Sequence, residues 1–253
     1  PVGRNTAPAI GLVATYLKQR SPDSIMIVMP SDHAIPDREK FLKDVKVAVE
    51  GARKDYLVTF GIKPTHPETG YGYIKVEKGS RTGIKGLRQV EKFVEKPNLK
   101  TAKSYLSAGN YYWNSGIFVV RASVLLREIA EYLPGVSARF TRLAAHVGGP
   151  RQKAETARCY KRVESISLDF GVMEKTRRAF VVPADIGWDD LGNWESFSRY
   201  MLPDAGGNRV CGRHVGLDSK RCVIHTSDRL VATVGIKDVV VGVAGDAVLL
   251  VKR

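Results

Sequence analysis

The sequence predicts an α/β fold with an open, mixed and mostly parallel sheet, followed by a smaller β-rich domain. Three observations carry this expectation. Strand-like and helix-like runs alternate through the first two hundred residues, and the apolar run at 24–29 is continuous, as in a strand buried on both faces. Helical periodicity then disappears after Pro203, dividing the chain into 1–203 and 204–253.

The elements follow in order. Asn5 or Thr6 can cap a helix whose apolar positions Ala9, Ile10, Val13, Ala14 and Leu17 keep a helical period. The strand at 24–29 ends at Pro30 and gives way to the polar turn Ser31-Asp32-His33. A helix over 37–54 and a strand over 57–62 complete the first strand–helix–strand unit. Further strands are expected at 73–76, 87–95 and 116–120, with helices at 99–107, 122–132 and 154–163. Ligands of open α/β sheets bind beyond the carboxyl ends of the strands, which directs attention to Asp32 and the loop 63–72. Past residue 206 the strand-like runs are 222–225, 230–234, 239–243 and 247–251. Such spacing suits either a small parallel β-solenoid or an added sheet, and the pattern leaves both open.

Bulk properties narrow the function classes. The 253 residues are 43% hydrophobic and 26% charged, an ordinary globular composition. The apolar runs are too short to cross a bilayer, and no signal peptide is readable, so no membrane partner is expected. Three cysteines, Cys159, Cys211 and Cys222, lack metal-type spacing and suit a reducing compartment, here the cytoplasm. The net charge of +14 suggests a polyanionic ligand. The basic residues form short scattered groups without interleaved aromatics, so nucleic acid is not the expected partner.

Several short segments carry groups suited to chemistry. Gly3-Arg4-Asn5-Thr6-Ala7-Pro8-Ala9 places polar side chains at a helix start, where amides favour an anion or base edge, though these residues taken alone favour an ordinary cap. Pro30-Ser31-Asp32-His33 supplies a carboxylate after a buried strand, suited to a hard cation or to a turn cap. Pro67-Glu68-Thr69-Gly70-Tyr71-Gly72-Tyr73 lets backbone approach a ligand closely, or makes a plain turn. In Phe93-Val94-Glu95-Lys96-Pro97, a lysine can meet a phosphate while a glutamate accepts hydroxyls. Trp113-Asn114-Ser115-Gly116 offers a side chain that both donates and accepts. Gly187-Trp188-Asp189-Asp190-Leu191-Gly192 supplies two adjacent acids, suited to a second metal contact or to a structural turn.

Taken in order with Asp-Phe-Gly-Val-Met-Glu-Lys at 169–175, these motifs closely resemble the mannose-1-phosphate guanylyltransferase family of sugar nucleotidylyltransferases, from Pro1 to about Tyr200. The resemblance implies a Rossmann-like nucleotidylyltransferase domain followed by a small left-handed β-helix. It implies transfer from GTP to mannose 1-phosphate, giving GDP-mannose and pyrophosphate with Mg²⁺. Residue by residue, Gly3, Asn5 and Thr6 would line the guanosine side, and Asp32 and Asp190 would hold Mg²⁺. Gly72, Glu95 and Asn114 would bind the mannosyl part and Lys96 its phosphate, with Asp169 and Lys175 in support. Asp32, Lys96 and Asp190 would form the catalytic set. The family's Gly-Gly-x-Gly-x-Arg-Leu-x-Pro phosphate loop is not among these residues, and two βα units of about 30 residues each would supply it. A homodimer is the assembly to test. The rival readings are a sister transferase with another sugar or base, and a non-catalytic homologue that binds sugar nucleotides.

Overall fold

The computed structural model describes residues 2–77, 79 and 82–253. Contacts divide the chain into two units. The first holds residues up to Ser31 and Ile35–Trp188, and the second holds Asp32–Ala34 and Asp189–Arg253. This division differs from the compositional boundary at Pro203, because residues 189–203 and the short segment 32–34 group with the β-rich part.

In the first unit, Asn5 caps helix α1 (Thr6–Arg20) through its side-chain oxygen, which accepts from the Thr6 amide at 2.8 Å. Strand β1 (Ile25–Val28) leads on to α2 (Arg38–Arg53), whose N-cap is Asp37. The Asp37 Oδ1 accepts from the Lys40 amide at 3.0 Å. Strands β2 (Leu57–Ile62), β3 (Tyr73–Val76) and β4 (Arg88–Val94) follow. Helix α3 (Leu99–Ala108) is capped by Asn98 and ended by Gly109 in the left-handed conformation. The long strand β5 (Tyr111–Arg121) runs directly into α4 (Ala122–Tyr132). Helices α5 (Pro134–Ala144) and α6 (Gln152–Arg162), a π-helical turn at Asp169–Met173 and strand β6 (Ala179–Ala184) complete the unit.

The sheet order is β1-β5-β2-β6-β4-β3, with a further β5–β3 pairing. The sheet is mixed, as the sequence predicts, but it is not mostly parallel. Among the described strands β2–β6 pairs in parallel, while β1–β5, β2–β5, β3–β4, β3–β5 and β4–β6 are antiparallel. The cause lies in strand order. These pairings make β1, β2, β3 and β6 run in one direction, as the strand–helix alternation suggests, but β5 inserts between β1 and β2 and β4 flanks β6. Strand direction is written in the alternation; adjacency is not.

Helices cover the sheet from two sides, giving two apolar clusters. One gathers Ile10, Ala14, Leu125, Ile129, Val136 and Phe140 under α1, α4 and α5. The other packs Ala48 and Ala52 of α2 on Val58, Phe60, Val119 and Phe180. Within β5, Gly116 takes φ +71° where three residues of β5, Ser115, Gly116 and Ile117, oppose the single Phe60 of β2. That bulge re-aims the strand beside Asn114.

The second unit contains α7 (Trp194–Ser198), capped by Asn193, and strands β7 (Arg209–Leu217), β8 (Val223–Val234), β9 (Val239–Ala244) and β10 (Ala247–Lys252). Pairings β7–β8 and β8–β9 are parallel, and β9–β10 is an antiparallel hairpin. The runs at 222–225 and 230–234 prove to lie in one strand. They meet residues 209–211 and 213–217 of β7 on either side of Gly212, which takes φ +108°. A Cβ on Gly212 would stand 2.1 Å from the Thr226 carbonyl oxygen, so only glycine allows this approach. Cys222, Ile224, Val241 and Val243 form the small core.

Candidate active site

Polar groups in the first unit converge where β4 ends and β5 begins. β3 and β4 pair so that Tyr73 lies opposite Val94, which brings Gly72 level with Glu95. A Cβ on Gly72 would stand 2.5 Å from the Glu95 Oε2 and 3.2 Å from the Phe93 ring. Glycine is therefore what lets the Glu95 carboxylate lie over the backbone. The Gly72 carbonyl accepts from the Asn114 amide at 2.8 Å, and the Tyr71 carbonyl accepts from the Lys96 amide at 3.2 Å.

The Asn114 side chain is oriented by two partners. Its Nδ2 donates to Asp169 Oδ1 at 2.9 Å, and the Thr59 hydroxyl donates to its Oδ1 at 2.8 Å. Glu95 has only 11% of its side chain exposed, and its buried Oε2 has no hydrogen-bond partner among the described residues. A buried carboxylate oxygen without a donor is costly unless a ligand supplies one. Burial, followed by the nearby Asp169 charge, pushes the Glu95 carboxyl up to about 7, against the pull of the Lys96 ammonium. Burial likewise raises Asp169, opposed by its hydrogen bonds, including that from Asn114. Lys96 is exposed, with its Nζ 3.9 Å from Glu95 Oε1. The cluster thus offers hydroxyl acceptors, one oriented amide and one exposed cation, a set matched to a sugar phosphate.

The acids of the second unit have separate roles. Asp189 and Ala34 exchange backbone hydrogen bonds of 3.1 and 2.8 Å. The Asp189 carboxylate accepts from the Leu191 amide at 3.0 Å and from Arg199 Nη1 at 3.1 Å. Asp190 Oδ1 accepts from the Gly192 amide at 3.0 Å. His33 titrates below its usual value because burial disfavours its charged form, against the pull of Asp32, Asp190 and Asp189. Among the described residues no group of three or more His, Cys, Asp and Glu side chains is placed to hold a metal. Asp32 and Asp190 both act on the charge of His33, and carboxylates of this kind are hard-oxygen donors of which Mg²⁺ takes one or two before completing its shell with water and substrate phosphates.

Side chains at the start of α1 are engaged in structure. Asn5 makes its cap at φ +65°, and the Thr6 hydroxyl accepts from the Leu168 amide at 2.8 Å. Arg4 donates to the carbonyls of Tyr160 and Lys161 at 2.9 and 2.7 Å. Gly3 is exposed, with open space around its Cα. These contacts dock the helix start onto the segment leading to the π-turn. Sequence reasoning missed Thr59 and gave Glu174 no role. Thr59 reads as an ordinary β-former, and only its place in an otherwise apolar strand marks it. Glu174 sits within the 169–175 motif, where its amide-accepting role depends on a contact 79 residues away in sequence.

Residues 1–205 match the family model described as "Nucleotidyl transferase", and residues 212–253 match one described as "MannoseP isomerase/GMP-like beta-helix domain". The chain is 45% identical over 257 residues to the xanthan biosynthesis protein XanB of Xanthomonas campestris pv. campestris (strain B100), covering 100% of this chain and 53% of that protein. It is 40% identical over 259 residues to the mannose-1-phosphate guanylyltransferase of Escherichia coli (strain K12), covering 100% of this chain and 54% of that one. The chain thus spans about half the length of the curated relatives it matches. A crystal structure described as mannose-1-phosphate geranyltransferase from Thermus thermophilus superposes with a TM-score of 0.83 at 36% identity, over 99% of this chain and 72% of that one.

The elevated Glu95 carboxyl has a measurable consequence. Its folded value of about 7 lies above the ordinary 4.5, so its contribution to stability is full below about pH 4.5 and is lost as pH rises through 7. Between pH 5 and pH 8 the native protein should lose about 2 kcal/mol more stability than Glu95→Gln, read by denaturant unfolding at both pH values. Equal losses would show that Glu95 titrates normally.

Proposed function

The chain belongs to the nucleotidyl transferase family, and from that premise we infer that its parent protein transfers a guanylyl group from GTP to mannose 1-phosphate. The products are GDP-mannose and pyrophosphate. The observation that carries this reading is the Glu95 Oε2 lying over Gly72 with no hydrogen-bond partner among the described residues, with oriented Asn114 and exposed Lys96 beside it. The choice of mannose and GTP draws support from the printed names of the relatives and from the ordered motifs.

A sugar-phosphate oxygen attacks the α-phosphorus in line. A new P–O bond forms as the bond to the β-phosphate oxygen breaks, and pyrophosphate departs without a covalent enzyme intermediate. The chain's part is positioning and charge compensation. Glu95 and Asn114 take sugar hydroxyls, Gly72 leaves room for the Glu95 carboxylate, and Lys96 meets the phosphate as a point charge. Gly3, Asn5 and Thr6 are proposed to border the guanine through backbone groups, since the Asn5 and Thr6 oxygens already serve the helix start. Asp32 and Asp190 would hold Mg²⁺, which supplies Lewis-acid charge neutralisation at the phosphates when bound. Asp189 is already paired with Arg199, which favours Asp190 as the ligand. The reading places the protein in the cytoplasm; no helix is long and apolar enough to cross a membrane among the described residues.

The full-length protein should release pyrophosphate fastest with GTP and mannose 1-phosphate when GTP, ATP, UTP and dTTP are crossed with mannose and glucose 1-phosphates. Preference for UTP or dTTP with glucose 1-phosphate would assign it to a sister activity instead. Asp190→Asn should lower turnover by about 10²-fold or more at limiting Mg²⁺, with partial recovery as Mg²⁺ is raised. Asp189→Asn should chiefly weaken its own loop. The reverse pattern would move the metal ligand by one residue.

A further inference from the structure

The π-turn is tied to both halves of the sugar-phosphate cluster. Its i→i+5 bond joins the Glu174 amide to the Asp169 carbonyl at 3.1 Å, so Asp169 and Glu174 stand at its two ends. The Asp169 side chain accepts from Asn114. The Glu174 side chain reaches the other half, where its Oε1 accepts from the Glu95 backbone amide at 2.9 Å. Wide turns of this kind recur at functional sites, where they place side chains that an α-helical turn would rotate away.

What Glu174 grips is an uncommon backbone. Lys96 takes φ +46°, a left-handed value few non-glycine residues adopt, and Pro97 follows it. Such a conformation persists only where neighbouring bonds over-determine it. Two bonds flank this one. The Lys96 amide donates to Tyr71, and the Glu95 amide donates to Glu174. We propose that Glu174 is a positioning residue: its carboxylate fixes the turn that presents the Glu95 carboxylate and the Lys96 ammonium together toward the sugar phosphate. The proposal rests on reading Glu95 and Lys96 as ligands of that substrate. The Glu174 charge also adds to the repulsion that raises Glu95, although burial and Asp169 dominate there.

The test compares Glu174→Ala, which removes the acceptor, with Glu174→Gln, which keeps an oxygen acceptor and loses the charge. In the full-length protein Glu174→Ala should raise KM for mannose 1-phosphate about tenfold or more, with KM for GTP changed less than about twofold, because a hydrogen bond to a charged group is lost at one substrate only. Glu174→Gln should restore KM to within about threefold of the native value. It should also move the acid limb of the pH profile lower, since removing a negative neighbour lowers the Glu95 pKa. Hydrogen exchange at the Glu95 amide supplies a readout independent of turnover: protected in the native protein, fast in Glu174→Ala, intermediate in Glu174→Gln. Equal rises in both KM values, or no rescue by glutamine, would overturn the proposal, as would unchanged protection of the Glu95 amide. If native protein turned over no hexose 1-phosphate while the exchange pattern held, the substrate reading would fall and the positioning role would stand.

Discussion

Three carboxylates, Glu95, Asp169 and Glu174, are gathered around one exposed ammonium, Lys96, and the local structure of the first unit is organised to hold them there. Burial, with like charges close by, raises both the Glu95 and the Asp169 carboxyls. Hydrogen bonds run from Asn114 to Asp169 and from the Glu95 amide to Glu174. The buried Glu95 Oε2 has no partner among the described residues. In the proposed reading, that atom is the one a donor on the ligand would satisfy.

Each supporting feature answers to that constraint. Gly72 must lack a side chain because Glu95 occupies the space. Gly116 bends β5 so that Asn114 faces both Thr59 and Asp169. The π-turn spans the gap between Asn114 and Glu95 with its first residue and the residue just past its end. The second unit carries the other acids, with Asp189 committed to Arg199 and to the pairing with Ala34.

Much of the fold was legible because apolar periodicity is a local property. α1, α2 and α3 announce themselves through the capping residues Asn5, Asp37 and Asn98, and β1 and β2 through largely apolar runs. β6 hides behind Pro183, a residue that argues against a strand, although here it stands opposite Gly61 and one place from the strand end. α5 hides behind Pro134-Gly135, which reads as a break but supplies a proline at the helix start. β7 has too many Arg, His and Gly residues to show a strand pattern, because its unit is thin and leaves most of it exposed. Parallel adjacency failed for a different reason: insertion of β5 is a long-range event with no local trace. In the candidate site, Gly72, Glu95, Lys96 and Asn114 were legible as motifs. Thr59 and Glu174 were not, since their roles exist only across contacts of 55 and 79 residues.

The central claim is that the Glu95 cluster receives the sugar phosphate. Backbone amide shift mapping of the isotope-labelled full-length protein with mannose 1-phosphate tests it directly. The account predicts saturable shifts at the amides of Gly72, Glu95, Lys96 and Asn114, abolished by Glu95→Gln together with Lys96→Ala. Saturable binding that leaves those four amides unmoved and shifts another surface would contradict it.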